Sequence, residues 1–402
     1  MPCQMMATNI TKVAFFVDTP FNSRDYKRYG IDLLRENGLD VEIWDFTPAL
    51  NRQLHRRVQG NEGTKAKNYF LFDSKRAAVA AIDNLHQKMA VIFLLGYGAA
   101  AYPIYRAVSK KVNIVYGFLF VNKLPNIVKD NRRSLSILYR RFANIALYKV
   151  VDYLFSKIHF QAVGVRPADF VVTAGNDAIP GGQPVAVSTR RLSFHALDYD
   201  LYLDEKNKDI QGPEENNTAV FLDEYLPFHP DFIRLGVDSY AGPEEYYPQL
   251  NRFFDYLEDK FGFQVVIAAH PRSRYENHPD YFSGRAVLRG DTVKMVRGSS
   301  VVITHCSTSI NFAILFEKPV IFVTSDKLQK TYEGAYIDAM AQALGKRSIN
   351  LDRDIDVDMG RQLMVDKNAY RRYKNAYIKN EDSEDLPFWQ LFVKYLKAAP
   401  NF

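Results

Sequence analysis

The stretch 263–326, FQVVIAAHPRSRYENHPDYFSGRAVLRGDTVKMVRGSSVVITHCSTSINFAILFEKPVIFVTSD, constrains the fold more than any other part of the chain. It holds three short runs rich in β-branched residues, at 264–269, 300–304 and 319–323, and none of them alternates polar with apolar. A strand covered on both faces has this pattern, and such strands belong to parallel sheets flanked by helices. The first run ends in His270-Pro271-Arg272 and the second in His305-Cys306-Ser307-Thr308-Ser309. Ligands of open α/β sheets bind beyond the carboxyl ends of the strands. The most reactive side chains of the stretch therefore stand where such a sheet would use them.

The same alternation of strand and helix runs through the rest of the chain. A first buried strand is expected at 12–18, then a helix capped by Ser23 that runs to about Asn37 and stops at Gly38. Strands follow at 41–46, 89–95, 112–119 and 169–175, with helices at 76–87 and 103–110 between them. This βαβ repetition implies a doubly wound parallel sheet. The segment 134–160 has apolar residues at three- and four-residue spacing, decorated by Arg140, Arg141, Lys149 and Lys157. It reads either as a domain helix with a solvated face or as a basic amphipathic helix lying on an anionic membrane. A polar run, NKDIQGPEENNT at 207–218, marks a linker. A new strand at 219–223 and helices at 246–261, 334–345 and 366–379 follow it. At 402 residues the chain exceeds one compact core. The expected division is a first domain over 1–206, the linker, a second domain over 219–380, and a closing helix at 381–402 that packs back on the first domain.

A hydrophobic content of 47% with 24% charged residues excludes a disordered chain. The net charge of +6 mildly favours anionic ligands. The two cysteines, Cys3 and Cys306, have no paired spacing, which argues against a disulfide framework or a zinc site and for a reducing compartment. The N-terminus shows no continuous apolar core of a signal peptide, and the longest uncharged run, 89–105, is interrupted by Gly96, Gly98 and Pro103. A cytoplasmic location is expected, with peripheral contact at the inner membrane face if the 134–160 helix is membrane-bound. No P-loop, GxGxxG after a strand, HExxH or Asp-x-Asp motif is present, so no metal and no cofactor is expected.

Ser307, Thr308 and Ser309 precede a helix whose free N–H groups, with these hydroxyls, would attract phosphate. His270, held extended by Pro271, would neutralise a leaving phosphate or donate a proton to it, aided by Arg272 or Arg274. The two sites would support each other if their strands were neighbours. His305 would act on the donor as well. Asp223-Glu224 ends the 219–223 strand, and either carboxylate is suited to deprotonating an acceptor hydroxyl or to a structural cap. His229-Pro230 echoes the His-Pro pair and reads as a turn. Asp18, after the first strand, is a second candidate base, and Arg24, Lys27 and Arg28 would face an anionic glycan.

His270-Pro271, followed by VITHCSTS and NFAILFEKPVIF, resembles the donor half of GT-B glycosyltransferases of bacterial surface-polysaccharide biosynthesis. The likeness is to the sialyltransferase and polysialyltransferase groups and to the CDP-glycerol glycerophosphotransferases. It implies two Rossmann-like domains with parallel sheets facing a central cleft. It also implies that the His-Pro and Ser/Thr motifs grip the phosphate of a CMP-sugar while an acidic pair supplies the base. Asp223-Glu224 resembles that pair loosely, since Tyr225 stands where a glycine is usual. The implied activity is metal-independent, inverting transfer of a CMP-activated acidic sugar, of sialic or Kdo type, onto a glycan or lipid-linked glycan of a capsule or lipopolysaccharide. Alternatives are polyol-phosphate transfer from CDP-glycerol, a non-catalytic glycan- or nucleotide-binding subunit, and a non-hydrolysing sugar epimerase. No nucleic-acid partner is expected.

Overall fold

The computed structural model describes residues 10–58, 67–125, 154–155, 158–176, 181–208, 217–229, 239–353 and 358–398. They fall into two compact units: the described residues of Met1–Val121, Asn144–Leu197 and Asn380–Phe402, and those of Asn122–Ala143 and Asp198–Lys379. Most of the basic stretch 134–160 and of the linker 207–218 lies outside the described residues.

The first unit is a seven-stranded parallel sheet of β1 (Lys12–Val17), β2 (Asp40–Asp45), β3 (Tyr69–Leu71), β4 (Met89–Leu94), β5 (Ile114–Phe120), β6 (Phe170–Thr173) and β7 (Arg190–Ser193). Its spatial order is β3-β2-β1-β4-β5-β6-β7. The unbroken apolar runs are the inner strands, and Val13 to Val17 are buried on both faces. At the strand entrances the Lys12 ammonium lies 2.6 Å from Glu42 and 3.2 Å from Asp40, which ties β1 to β2. Ring packing continues the core, with Phe16 stacked on Trp44 at 5.1 Å and Phe93 on Tyr105 at 4.5 Å.

The helix expected from Ser23 to Asn37 is two helices, Ser23–Arg28 and Ile31–Glu36, and its cap is Asn22, whose side chain accepts from the N–H groups of Arg24 and Asp25. The break is at Gly30, which is left-handed at φ 54°, and a Cβ there would stand 2.3 Å from the Trp389 ring. The C-terminal helix Phe388–Ala398 lies against this gap, and the Trp389 indole N–H donates to the Arg28 carbonyl at 3.0 Å. The closing helix is thus part of the first unit.

The second unit is a six-stranded parallel sheet of β8 (Thr218–Leu222), β9 (Gln264–Ala268), β10 (Val287–Leu288), β11 (Val301–Thr304), β12 (Val320–Thr324) and β13 (Ile349–Asn350). The order is β10-β9-β8-β11-β12-β13. The chain steps outward from β8 to β10, crosses back, and continues from β11 on the other side. The reversal falls between β8 and β11, the place where doubly wound sheets open for ligands. The helix Asp198–Lys206 belongs here and not, as its position before the linker suggested, to the first unit. The Arg297 guanidinium bonds the carbonyls of Glu205 and Lys208, and Tyr202 packs on Phe316. The helix Pro243–Phe261 begins three residues earlier than Tyr246, because Pro243 needs no N–H partner in a first turn.

Candidate active site

Three strand exits carry the residues singled out by the sequence. β9 and β11 are not neighbours: β8 lies between them. The His270 and Ser307–Ser309 exits therefore do not adjoin each other directly, and the Asp223-Glu224 exit stands in the middle.

Asp223 is 4% exposed and anchors this edge. Its Oδ1 accepts the Tyr225 N–H at 2.9 Å, and its Oδ2 accepts the Tyr275 hydroxyl at 2.9 Å and the His270 N–H at 3.2 Å. Burial pushes its carboxyl up to about 6, against the lowering by these three donors. Such a carboxylate holds two strand exits in register and has little capacity left for a substrate proton. Tyr225 takes a left-handed conformation at φ 55°, rare for a bulky residue. A glycine adopts it freely; here a tyrosine holds it.

Glu224 differs from its neighbour. It is half-buried, at the β8–β11 reversal. Cys306, two residues after β11, donates its N–H to Oε1 at 2.7 Å and its thiol to Oε2 at 3.3 Å. Burial pushes Glu224 up to about 7; the Cys306 donors oppose the rise, and the carboxylates of Asp223 and Glu333 add to it. Burial, then Glu224 and Glu333, push the Cys306 thiol far above its ordinary value, so it stays protonated. A carboxyl that titrates near neutrality at a ligand-binding edge is suited to proton transfer.

His270 is half-buried, and its Nδ1 accepts the Arg272 N–H at 3.2 Å, which leaves the ring proton on Nε2. Pro271 sits second in a turn closed by the Ser273 N–H and hydroxyl on the His270 carbonyl, at 2.9 and 2.8 Å. Pro271 and Arg272 are exposed. His229 brings its ring to 5.3 Å from that of His270.

His305 does not reach the edge. It is 2% exposed, its Nδ1–H donates to the Val323 carbonyl at 2.7 Å, and its Nε2 accepts the Tyr246 hydroxyl at 3.0 Å. Burial lowers its pKa to about 4, so the imidazole is neutral and structural; the expected contact with the donor is withdrawn. The Ser/Thr row is also changed in kind. The helix it opens, Ile310–Leu315, is short, and the N–H groups of Ile310, Asn311 and Phe312 are taken by the carbonyls of Ser307, Thr308 and Ser309. The hydroxyls remain: those of Ser307, Thr308 and Ser309 donate to no partner among the described residues. This row can offer O–H donors, whereas the expected helix-end N–H groups are committed.

In the first unit, Asp18 follows β1 and is half-buried, and Arg24 lies exposed on Ser23–Arg28. No group of three or more His, Cys, Asp or Glu side chains suited to a metal occurs among the described residues, and no helix among them is long and apolar enough to cross a membrane. Sequence reading passed over Cys306, Tyr275 and Glu333. Only Cys306 left a signal, as the residue between the histidine and the hydroxyl row.

No protein-family description matches the chain, and no curated protein does. Solved structures do. The calicheamicin glycosyltransferase CalG4 matches with a TM-score of 0.50 at 10% identity, over 91% of this chain and 95% of that one. MurG of Acinetobacter baumannii matches at 0.49 and 10%, over 97% and 100%. The UDP-GlcNAc 2-epimerase of Neisseria meningitidis, bound to UDP-GlcNAc, matches at 0.48 and 13%, over 95% and 100%. At these identities the likeness speaks to the fold alone, and the fold is GT-B-like, with two Rossmann-like parallel-sheet units.

Proposed function

We propose that this protein is a metal-independent, inverting glycosyltransferase that moves a sugar from a nucleotide donor to a glycan or lipid-linked glycan. The observation that carries the reading is Glu224, a carboxyl with a pKa of about 7 at the β8–β11 reversal, bonded to Cys306, which precedes three hydroxyls that donate to no partner among the described residues. In the reaction an acceptor hydroxyl attacks the anomeric carbon and gives its proton to Glu224. The bond from that carbon to the phosphate oxygen breaks, and the electron pair leaves with the nucleotide. His270, through its Nε2–H, and Arg272 stabilise the departing phosphate, and the hydroxyls of Ser307, Thr308 and Ser309 hydrogen-bond the donor. Asp223 positions the Glu224 and His270 exits without touching substrate. The resemblance of the His-Pro and Ser/Thr motifs would make the donor a CMP-linked acidic sugar.

The test is a thermal-shift screen of CMP, CDP, UDP, GDP and ADP, followed by product analysis with the corresponding sugar donor. Stabilisation by a nucleotide together with an anomerically inverted product supports the reading. Binding without turnover would make the protein a nucleotide-binding subunit, and stabilisation by CDP alone would redirect it to polyol-phosphate transfer.

A further inference from the structure

The register of the second sheet brings Glu224 and Cys306 together. β8 and β11 pair in parallel with Leu222 opposite Thr304, and each chain runs two residues beyond that pair, to Glu224 and to Cys306. Cys306 then takes both oxygens of the carboxylate, its N–H donating to Oε1 at 2.7 Å and its thiol to Oε2 at 3.3 Å. The turn that presents Cys306 is fixed on both sides. Before it, the His305 ring is held by the Val323 carbonyl and the Tyr246 hydroxyl, at 2.7 and 3.0 Å. After it, the Ser307 N–H donates to the Thr304 hydroxyl at 3.3 Å. The neighbouring Asp223 shows the alternative, because two N–H groups and a phenol hold it. A thiol is a weaker donor than any of these. The two oxygens of Glu224 are therefore unlike: the backbone holds Oε1 firmly, and only a weak donor sits on Oε2.

Resting on Glu224 as the base of the proposed transfer, we infer that Cys306 is its positioning residue and that Oε2 is the oxygen that takes the acceptor's proton. A carboxylate oxygen has two lone pairs. One lone pair of Oε2 keeps the S–H bond while the proton of the attacking hydroxyl arrives on the other. A donor bonded to a carboxylate stabilises its charged form and so lowers its basicity. The thiol aims Oε2 at a small cost in basicity, where an N–H or phenol would cost more. It keeps its own proton throughout, since burial raises its pKa well above the ordinary value. Asp223, Glu333, Tyr240 and Tyr246 are the other titratable groups that interact electrostatically with Glu224 among the described residues, and all of them remain when Cys306 is replaced.

The test is the pH profile of turnover in Cys306→Ala and Cys306→Ser, with whichever of UDP-glucose, GDP-mannose or CMP-N-acetylneuraminate the protein turns over. It is read beside infrared titration of the S–H stretch in a Cys3→Ser background, which leaves Cys306 as the one cysteine of the sequence. The S–H band should shift at the same pH as the acid limb of kcat/KM, and Glu224→Gln should abolish that shift. Cys306→Ala keeps the N–H on Oε1 and loses the donor on Oε2. Its acid limb should move to higher pH and its plateau kcat fall about tenfold, with the donor KM unchanged. Cys306→Ser puts a donor back and should return the limb to the native pH or below it. An S–H band indifferent to the titration, a Cys306→Ala profile equal to the native one, or a Cys306→Ser profile displaced as far as that of Cys306→Ala overturns the inference while Glu224 stands as the base. Native turnover by Glu224→Gln, or no turnover with any donor, removes that base and the inference with it.

Discussion

The two sheets share a topology at their centres and use it differently. In each, the chain steps outward from a central strand and then crosses back, so the order reverses between β1 and β4 in one unit and between β8 and β11 in the other. Each also keeps one buried carboxylate that takes three hydrogen bonds. Asp45 at the end of β2 is 1% exposed and accepts the Thr47 N–H and hydroxyl and the Tyr69 hydroxyl. Asp223 after β8 does the same for Tyr225, His270 and Tyr275. The difference lies in what accompanies these struts. At the first reversal Asp18 follows β1, and a glycine-flanked tyrosine, Gly96-Tyr97-Gly98, follows β4. At the second, a half-buried carboxyl with a pKa near 7 is held by a thiol and an N–H, and the hydroxyls of the following Ser307, Thr308 and Ser309 donate to no partner among the described residues. One carboxylate braces each edge, and in the second unit the described residues add Glu224, whose pKa is raised to about 7.

That contrast predicts unequal costs. His270→Ala should lower turnover by about 10²-fold or more, whereas Asp18→Asn in the first unit should change kcat by less than about tenfold and act on the acceptor KM; steady-state kinetics with varied donor and acceptor separates them. Equal losses would erase the distinction between the units. Asp223→Ala and Asp45→Ala should each destabilise by about 2–4 kcal/mol, because each leaves buried donors unpaired. Denaturant unfolding measures this, and a neutral Asp223→Ala would show that it is no strut. His305 tests the boundary between core and site. Its folded-state pKa is depressed from 6.5 to about 4, so its contribution is present above pH 6.5 and lost as pH falls toward 4. His305→Gln should flatten the fall of Tm in that window with nucleotide affinity unchanged. The smallest effect belongs to Glu224. Its folded-state pKa is raised from 4.5 to about 7, so stability present below pH 4.5 is lost as pH rises through 7. Glu224→Gln should therefore be more stable than the native protein above pH 7, by about 1–2 kcal/mol after allowance for its partial exposure, and no more stable at pH 4.

Much of the fold was legible because inner strands must be apolar on both faces. The runs at 12–18, 89–95, 264–269, 300–304 and 319–323 needed no tertiary information. The edge strands did. β3, β7, β10 and β13 are two to four residues long, and they expose Phe70, Leu71 and Leu288 or carry Arg190 and Arg191, so no buried run marks them. The Gly30 break depends on Trp389, far along the chain. The site was legible as strand exits and illegible as roles. Whether a carboxylate or imidazole is structural was decided by Tyr275 for Asp223, by Tyr246 and Val323 for His305, and by Cys306 for Glu224. Each partner lies 18 or more residues away, and no spacing in the sequence encodes it. Burial and the partners it brings, Tyr246 and Val323, separate His305 from the half-buried His270, although both follow apolar strands.

Glu224 as the base is tested most directly by the turnover of Glu224→Gln, measured with whichever of UDP-glucose, GDP-mannose or CMP-N-acetylneuraminate the native protein binds. The amide keeps an acceptor for the Cys306 N–H and cannot take a proton from the attacking hydroxyl. Donor affinity within about threefold of native and a kcat lowered by about 10³-fold are the predicted result. A kcat within about tenfold of native, with binding intact, would remove Glu224 as the base and contradict the central claim.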